Sequence, residues 1–148
     1  MIMSTQMVVF KLLSEEYAVD VSSVEAIIKL QAITKVPHAQ AHVVGVTNLR
    51  GNIVPVIDLK KRLELPEKEN SIDTRIIVAL LQDSKVGMVV DAVSQVIEIE
   101  DSQIEPTPQI STSIDSTYIR GIVKIESHLV IMLDLTKIFS DEKNKTQV

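Results

Sequence analysis

The sequence predicts a mainly β protein of two similar halves, each closing about five short strands into a small barrel. Three observations predict it. The first is an internal repeat: Gly45-Val46-Thr47-Asn48-Leu49-Arg50-Gly51-Asn52-Ile53-Val54-Pro55-Val56-Ile57-Asp58-Leu59 returns without a gap as Gly121-Ile122-Val123-Lys124-Ile125-Glu126-Ser127-His128-Leu129-Val130-Ile131-Met132-Leu133-Asp134-Leu135, 76 positions later. The second is composition, 45% hydrophobic but only 3% aromatic, which makes the core aliphatic and rich in the β-branched residues that suit pleated strands. The third is punctuation: polar turns recur at short intervals, and short strands so spaced remove their unpaired edges by closing into barrels.

Along the chain, Met7 to Leu13 reads as the first strand and Ser14-Glu15-Glu16 as its turn. Tyr17 to Val21 reads as the returning strand, with Tyr17, Val19 and Val21 on one face. Val24, Ile27 and Ile28 have a helical spacing, but a strand over Ala26 to Leu30 is favoured because the matching segment Val93 to Ile99 alternates around β-branched residues. That second match, Tyr17-Ala18-Val19-Asp20-Val21 with Val86-Gly87-Met88-Val89-Val90, has an offset of 69, which places about seven extra residues in the polar run Glu100 to Pro108. Pro37 breaks the next segment, and Ala39 to Val43 is expected to form one helical turn. Val46 to Asn48 and Ile53 to Ile57 form a hairpin turned at Arg50-Gly51-Asn52, where glycine supplies the permissive backbone. Asp58 and Asp134 are placed to cap short helices over Leu59 to Leu63 and Leu135 to Phe139. Further strands are expected at Arg75 to Leu81 and Val86 to Val90. The expected lobes are 6–70 and 71–140, followed by a charged, frayed tail, 141–148. Whether Met7 to Leu13 stays with the first lobe or crosses to the second is open.

Composition excludes several functions. A net charge of −5 and four scattered aromatic residues argue against nucleic acid. Without cysteine there is no disulfide framework and no thiolate chemistry. No apolar run reaches the roughly 18 residues of a membrane span, and Met1 to Gln6 lacks the basic stretch and cleavage site of a secretory leader, so a soluble cytoplasmic protein without membrane insertion is expected. His38 and His42 are four apart, but a zinc site needs further ligands, and they read as exposed loop histidines. Asp58 and Asp134 have equivalent capping roles rather than forming an acid pair. No Gly-x-Ser-x-Gly and no phosphate-cradling loop occurs. Neither catalysis nor a cofactor is expected. The alternative is a ligand-binding or enzymatic β-barrel with its site in the groove between lobes.

What remains is binding. The first copy of the repeat carries a polar tip, Asn48-Leu49-Arg50-Gly51, which the second lacks; Arg50 is replaced there by Glu126. Arginine makes directional, paired hydrogen bonds and is enriched at interface hot spots. Residues alone leave Arg50 open between a solvated turn and a binding anchor, and leave Val24, Ile27 and Ile28 open between core and groove.

Glu16-Tyr17-Ala18-Val19-Asp20-Val21, Val24-Glu25-Ala26-Ile27, the run Gly45 to Leu59, Val86 to Val93 and Tyr118-Ile119-Arg120-Gly121 together resemble the bacterial chemotaxis coupling family, CheW, over roughly Met7 to Phe139. The resemblance implies two five-stranded SH3-like barrels and a non-catalytic adaptor at membrane-associated receptor arrays. Its implied partners are the regulatory domain of the histidine kinase CheA and the cytoplasmic tip of methyl-accepting chemoreceptors. Carried over by position, it implies partner contact at Val24, Ile27, Asn48, Arg50 and Gly51. The chain departs from the pattern at Ala26, where some members carry an acidic residue able to pair with the tip arginine.

Overall fold

In the computed structural model, which describes residues 3–106 and 115–139, the chain forms strands throughout, with short helical turns between them. The strands are β1 (Ser4–Leu12), β2 (Glu15–Asp20), β3 (Val24–Lys29), β4 (Val43–Leu49), β5 (Asn52–Asp58), β6 (Arg75–Leu81), β7 (Ser84–Val90), β8 (Ala92–Glu100), β9 (Ile104–Glu105), β10 (Ile119–Ile125) and β11 (His128–Leu133). Helix α1 (Leu59–Arg62) follows β5, and a second turn, α2, covers residues 135–139. They form two sheets, β8-β1-β2-β11-β10-β9 and β3-β6-β7-β5-β4. The expected five strands per lobe become six in the first sheet because the two-residue β9 joins its edge.

The sheets do not follow the division at residues 70 and 71. The hairpin β1–β2 leaves the first half and joins the second-half sheet, where β2 pairs in parallel with β11; β6–β7 makes the reciprocal crossing, with β7 parallel to β5. The reason is visible in burial. Met7, Val8, Val9 and Phe10 are all buried, so both faces of β1 need cover, and only a position between two layers supplies it. Register repeats along with sequence. Val24 opposes Ala79 and Ile27 opposes Ile77, while Val93 opposes Phe10 and Val96 opposes Val8, each position shifted by 69.

Each barrel closes because one continuous segment lies at both ends of its ladder. In the first sheet β8 runs on into β9, which pairs with β10; in the second, the chain beyond β3 returns to bridge Thr34 to Val46. The repeated glycines mark these crossings. A Cβ on Gly45 would lie 2.1 Å from the Thr34 carbonyl oxygen, and one on Gly121 2.8 Å from that of Glu105.

Alternation sorts side chains into three clusters. Met7, Val9, Val123, Val130 and Met132 fill one barrel; Val56, Ile76, Val78 and Val89 fill the other. A third cluster draws on both sheets, with Val8, Phe10 and Leu12 against Ile57, Ile77 and Met88. Each such buried side chain stabilises by about 1.5–3 kcal/mol, so the cluster shared by the two sheets is a major term. Tyr17 stacks on Phe10 in it, with ring centroids 6.2 Å apart. Burial, then the charge of Glu15, pushes the Tyr17 phenol up to about 12, which keeps it neutral in the core.

Asp58 Oδ1 accepts from the Lys60 backbone N–H at 3.0 Å, and Asp134 Oδ1 from that of Lys137 at 3.2 Å, as capping requires. The expected helical turn at Ala39 to Val43 does not form: the Val43 N–H closes only a tight turn onto the Gln40 carbonyl at 3.0 Å, and Val43 already enters β4. The first turn is Leu13-Ser14 rather than Ser14 to Glu16, because Glu15 and Glu16 pair with Leu12 and Lys11. The tail 141–148 lies outside the described residues.

Among the described residues four hairpins turn in two residues, and each places a non-glycine residue at positive φ: Leu13 (60°), Arg50 (53°), Gln82 (43°) and Glu126 (54°). That conformation crowds Cβ against the backbone, and asparagine tolerates it best among residues with a side chain. Glu126 is exposed. Glu126→Asn is therefore expected to raise stability by about 0.5–1 kcal/mol, read as a higher denaturation midpoint in urea. A lower midpoint would show that Glu126 makes a compensating contact.

Candidate functional site

The tip of β4–β5 is built by its own residues. Arg50 and Gly51 have φ of 53° and 86°, the pair of positive values that a two-residue turn matched to strand twist demands. No atom lies within 4 Å of a Cβ built on Gly51, so glycine is needed there for conformation rather than room. Asn48 Oδ1 accepts the Gly51 N–H at 2.9 Å and fastens the turn. Among the described residues no hydrogen bond or ion pair engages the Arg50 guanidinium, which leaves it free to meet a partner.

Two further features belong to this end of the barrel. Ile53, in register with Asn48, is 77% exposed, and its repeat mate Leu129 is 60% exposed. An apolar residue kept outward in both copies, where Val54 and Val56 point inward, is a signal that sequence reasoning passed over. Gln31 is the other. Its Nε2 donates to Thr47 Oγ1 at 2.8 Å and to the Asn48 carbonyl at 2.7 Å.

Val24 and Ile27 lie on β3, and neither shares a hydrogen bond with the tip among the described residues. Partners in antiparallel register share a sheet face, and those of Val24 and Ile27 are Ala79 and Ile77, both members of the cluster drawn from both sheets. Val24 packs against that cluster as a half-buried residue. Ile27 is 40% exposed and forms an apolar rim where the shared core meets solvent. A bulge between Val24 and Ala26 turns Glu25 outward, where it pairs with Lys85 at 2.9 Å rather than with Arg50. Ala26 packs into the barrel.

A cavity of about 520 Å³ opens on the second sheet, bounded by Leu30, Ile33, Val44, Val89 and the 67–70 segment. Its position is not the groove between sheets, and three of its polar groups have other work: Asp58 caps α1, and Glu67 meets Lys61 at 3.3 Å. Asp115 is held below the usual carboxylate range by the backbone and hydroxyl of Thr117, as befits the cap of a turn. Among the described residues no three His, Asp or Glu side chains converge as metal ligands would, and no helix is long and apolar enough to cross a membrane.

The fold and the tip define a class: a two-lobed β scaffold that acts through its surface. The sequence matches the CheW-like domain family over residues 6–143. It is 39% identical over 143 residues to chemotaxis protein CheW of Bacillus subtilis (strain 168), covering 97% of this chain and 92% of that one. To chemotaxis protein CheW of Thermotoga maritima it is 36% identical over 132 residues, covering 89% and 85%. The crystal structure of the scaffolding protein TtCheW from Thermoanaerobacter tengcongensis matches with a TM-score of 0.85 at 40% identity, covering 93% of this chain and 88% of that one. The chain belongs to the CheW family, and is a non-catalytic scaffold of chemotaxis signalling.

Proposed function

We propose that the chain couples methyl-accepting chemoreceptors to the histidine kinase CheA, in the cytoplasm at membrane-associated receptor arrays. The cytoplasmic tip of the receptor would lie along the rim at Val24 and Ile27, and the regulatory domain of CheA would dock on the barrel that carries Asn48, Arg50 and Gly51. Neither contact requires a cofactor, a nucleic acid or insertion into the membrane. The observation that carries this reading is an exposed tip whose arginine has no hydrogen-bond or ion-pair partner among the described residues, with an isoleucine left 77% exposed on the same hairpin. An apolar anchor beside an arginine is the pattern of an interface hot spot.

Arg50→Glu reverses the charge at a position that packs against little, so folding is expected to survive. Affinity for the CheA regulatory domain or the receptor tip is expected to fall by at least about 30-fold in calorimetry, the effect of losing a hot spot. Unchanged affinity for both would remove the tip from the interface.

A further inference from the structure

We propose that Gln31 and Thr47 form a polar clamp that sets the direction of the Asn48–Gly51 tip, which makes them positioning residues for partner coupling; this rests on the role of the tip proposed above. The bonds form an unbroken relay. Thr47 Oγ1 donates to the Ala32 carbonyl at 2.8 Å and accepts from Gln31 Nε2 at 2.8 Å. The same Gln31 amide reaches the Asn48 carbonyl at 2.7 Å, and the Asn48 side chain takes the Gly51 N–H at 2.9 Å. The chain of contacts therefore runs from the segment that closes the barrel to the residue following Arg50.

The other barrel shows that closure does not require this. At the position of Thr47 the second copy has Val123, fully buried among apolar neighbours, and closure there uses backbone pairing of Ile104 with Val123 and Glu105 with Ile122. Thr47 is 5% exposed, and a buried hydroxyl destabilises unless its hydrogen bonds are satisfied. A valine would fill the same space without that requirement. Among the described residues only the barrel bearing the asparagine–arginine tip carries the polar version, and the bonds it makes end at the tip. Architecture is what the two copies share; the clamp falls in the part they do not.

The test uses the full chain, with calorimetry against the CheA regulatory domain and the receptor tip, and with hydrogen exchange at the Arg50 and Gly51 amides. Thr47→Val imports the residue of the second copy and Gln31→Leu removes the amide from the surface. Each is expected to weaken binding about three- to tenfold, as the loss of a positioning hydrogen bond does, and to speed exchange at both amides. Thr47→Ser keeps the hydroxyl and is expected to retain affinity and slow exchange. Should Thr47→Val unfold the chain, Gln31→Leu carries the test alone. Wild-type affinity and exchange in Gln31→Leu, alongside weakened binding in Arg50→Glu, would overturn the clamp. Wild-type binding by Arg50→Glu as well would instead overturn the role of the tip in coupling, while the exchange rates would still decide whether the clamp holds it.

Discussion

Lys60→Ala is expected to destabilise the protein by about 3–5 kcal/mol, a drop in melting temperature on the order of 10 °C. Lys60 is 1% exposed, and its Nζ lies 2.5 Å from Asp91 Oδ1 and 3.9 Å from Asp58 Oδ1. The other Asp91 oxygen accepts the Leu13 N–H at 2.6 Å, and the Asp91 N–H donates to the Lys11 carbonyl at 3.0 Å. One ion pair thus ties α1 of one lobe, through the β7–β8 junction, to the first hairpin of the other. Removing the lysine leaves a carboxylate 7% exposed with its charge uncompensated, and that residual charge, more than the lost attraction, is the cost. Pairing Lys60→Met with Asp91→Asn removes both charges and keeps an acceptor for Leu13. The double variant is expected to recover most of the loss in thermal denaturation. A single variant that costs under about 1 kcal/mol would show that the pair does not hold the lobes together.

Ile57→Asp is expected to abolish folding of both lobes in one transition, at a cost of about 4 kcal/mol or more. Ile57 is 4% exposed in the cluster drawn from both sheets, opposite Met88 and Val43. A carboxylate there has no partner, and the shared cluster carries the damage to either side. Ile57→Val, which only removes a methylene, is expected to cost about 0.5–1.5 kcal/mol. Circular dichroism on heating separates the two. An Asp variant that melts with the wild type would place Ile57 outside the core.

Much of the candidate site was legible because a repeat offers its own control. Gly45 and Gly121 recur since each must let a crossing strand pass; Asp58 and Asp134 recur since each caps a helical turn. Arg50 against Glu126 stood out as the difference that architecture did not explain. Gln31 and Ile53 did not stand out. Gln31 sits in a segment with no periodicity, and its partners, Thr47 and Asn48, lie 16 and 17 residues away. Lys60 was illegible for a different reason. It sits beside Lys61 on a short helix, and its repeat mate Thr136 is exposed.

By itself, the sequence determined most of the strands, the two capping aspartates, the repeat and the polar tip, because alternation, glycine and capping residues act over a few neighbours; the first turn and the segment before β4 it misplaced. Tertiary structure alone decided which half each hairpin joins. Local pattern makes β1 apolar on both faces but carries no information about which layers cover it, and only packing in three dimensions settles that β2 lies along β11 and β7 along β5. The same packing buries Lys60 on Asp91, 31 residues away, and brings the first hairpin against the lobe built from the end of the chain.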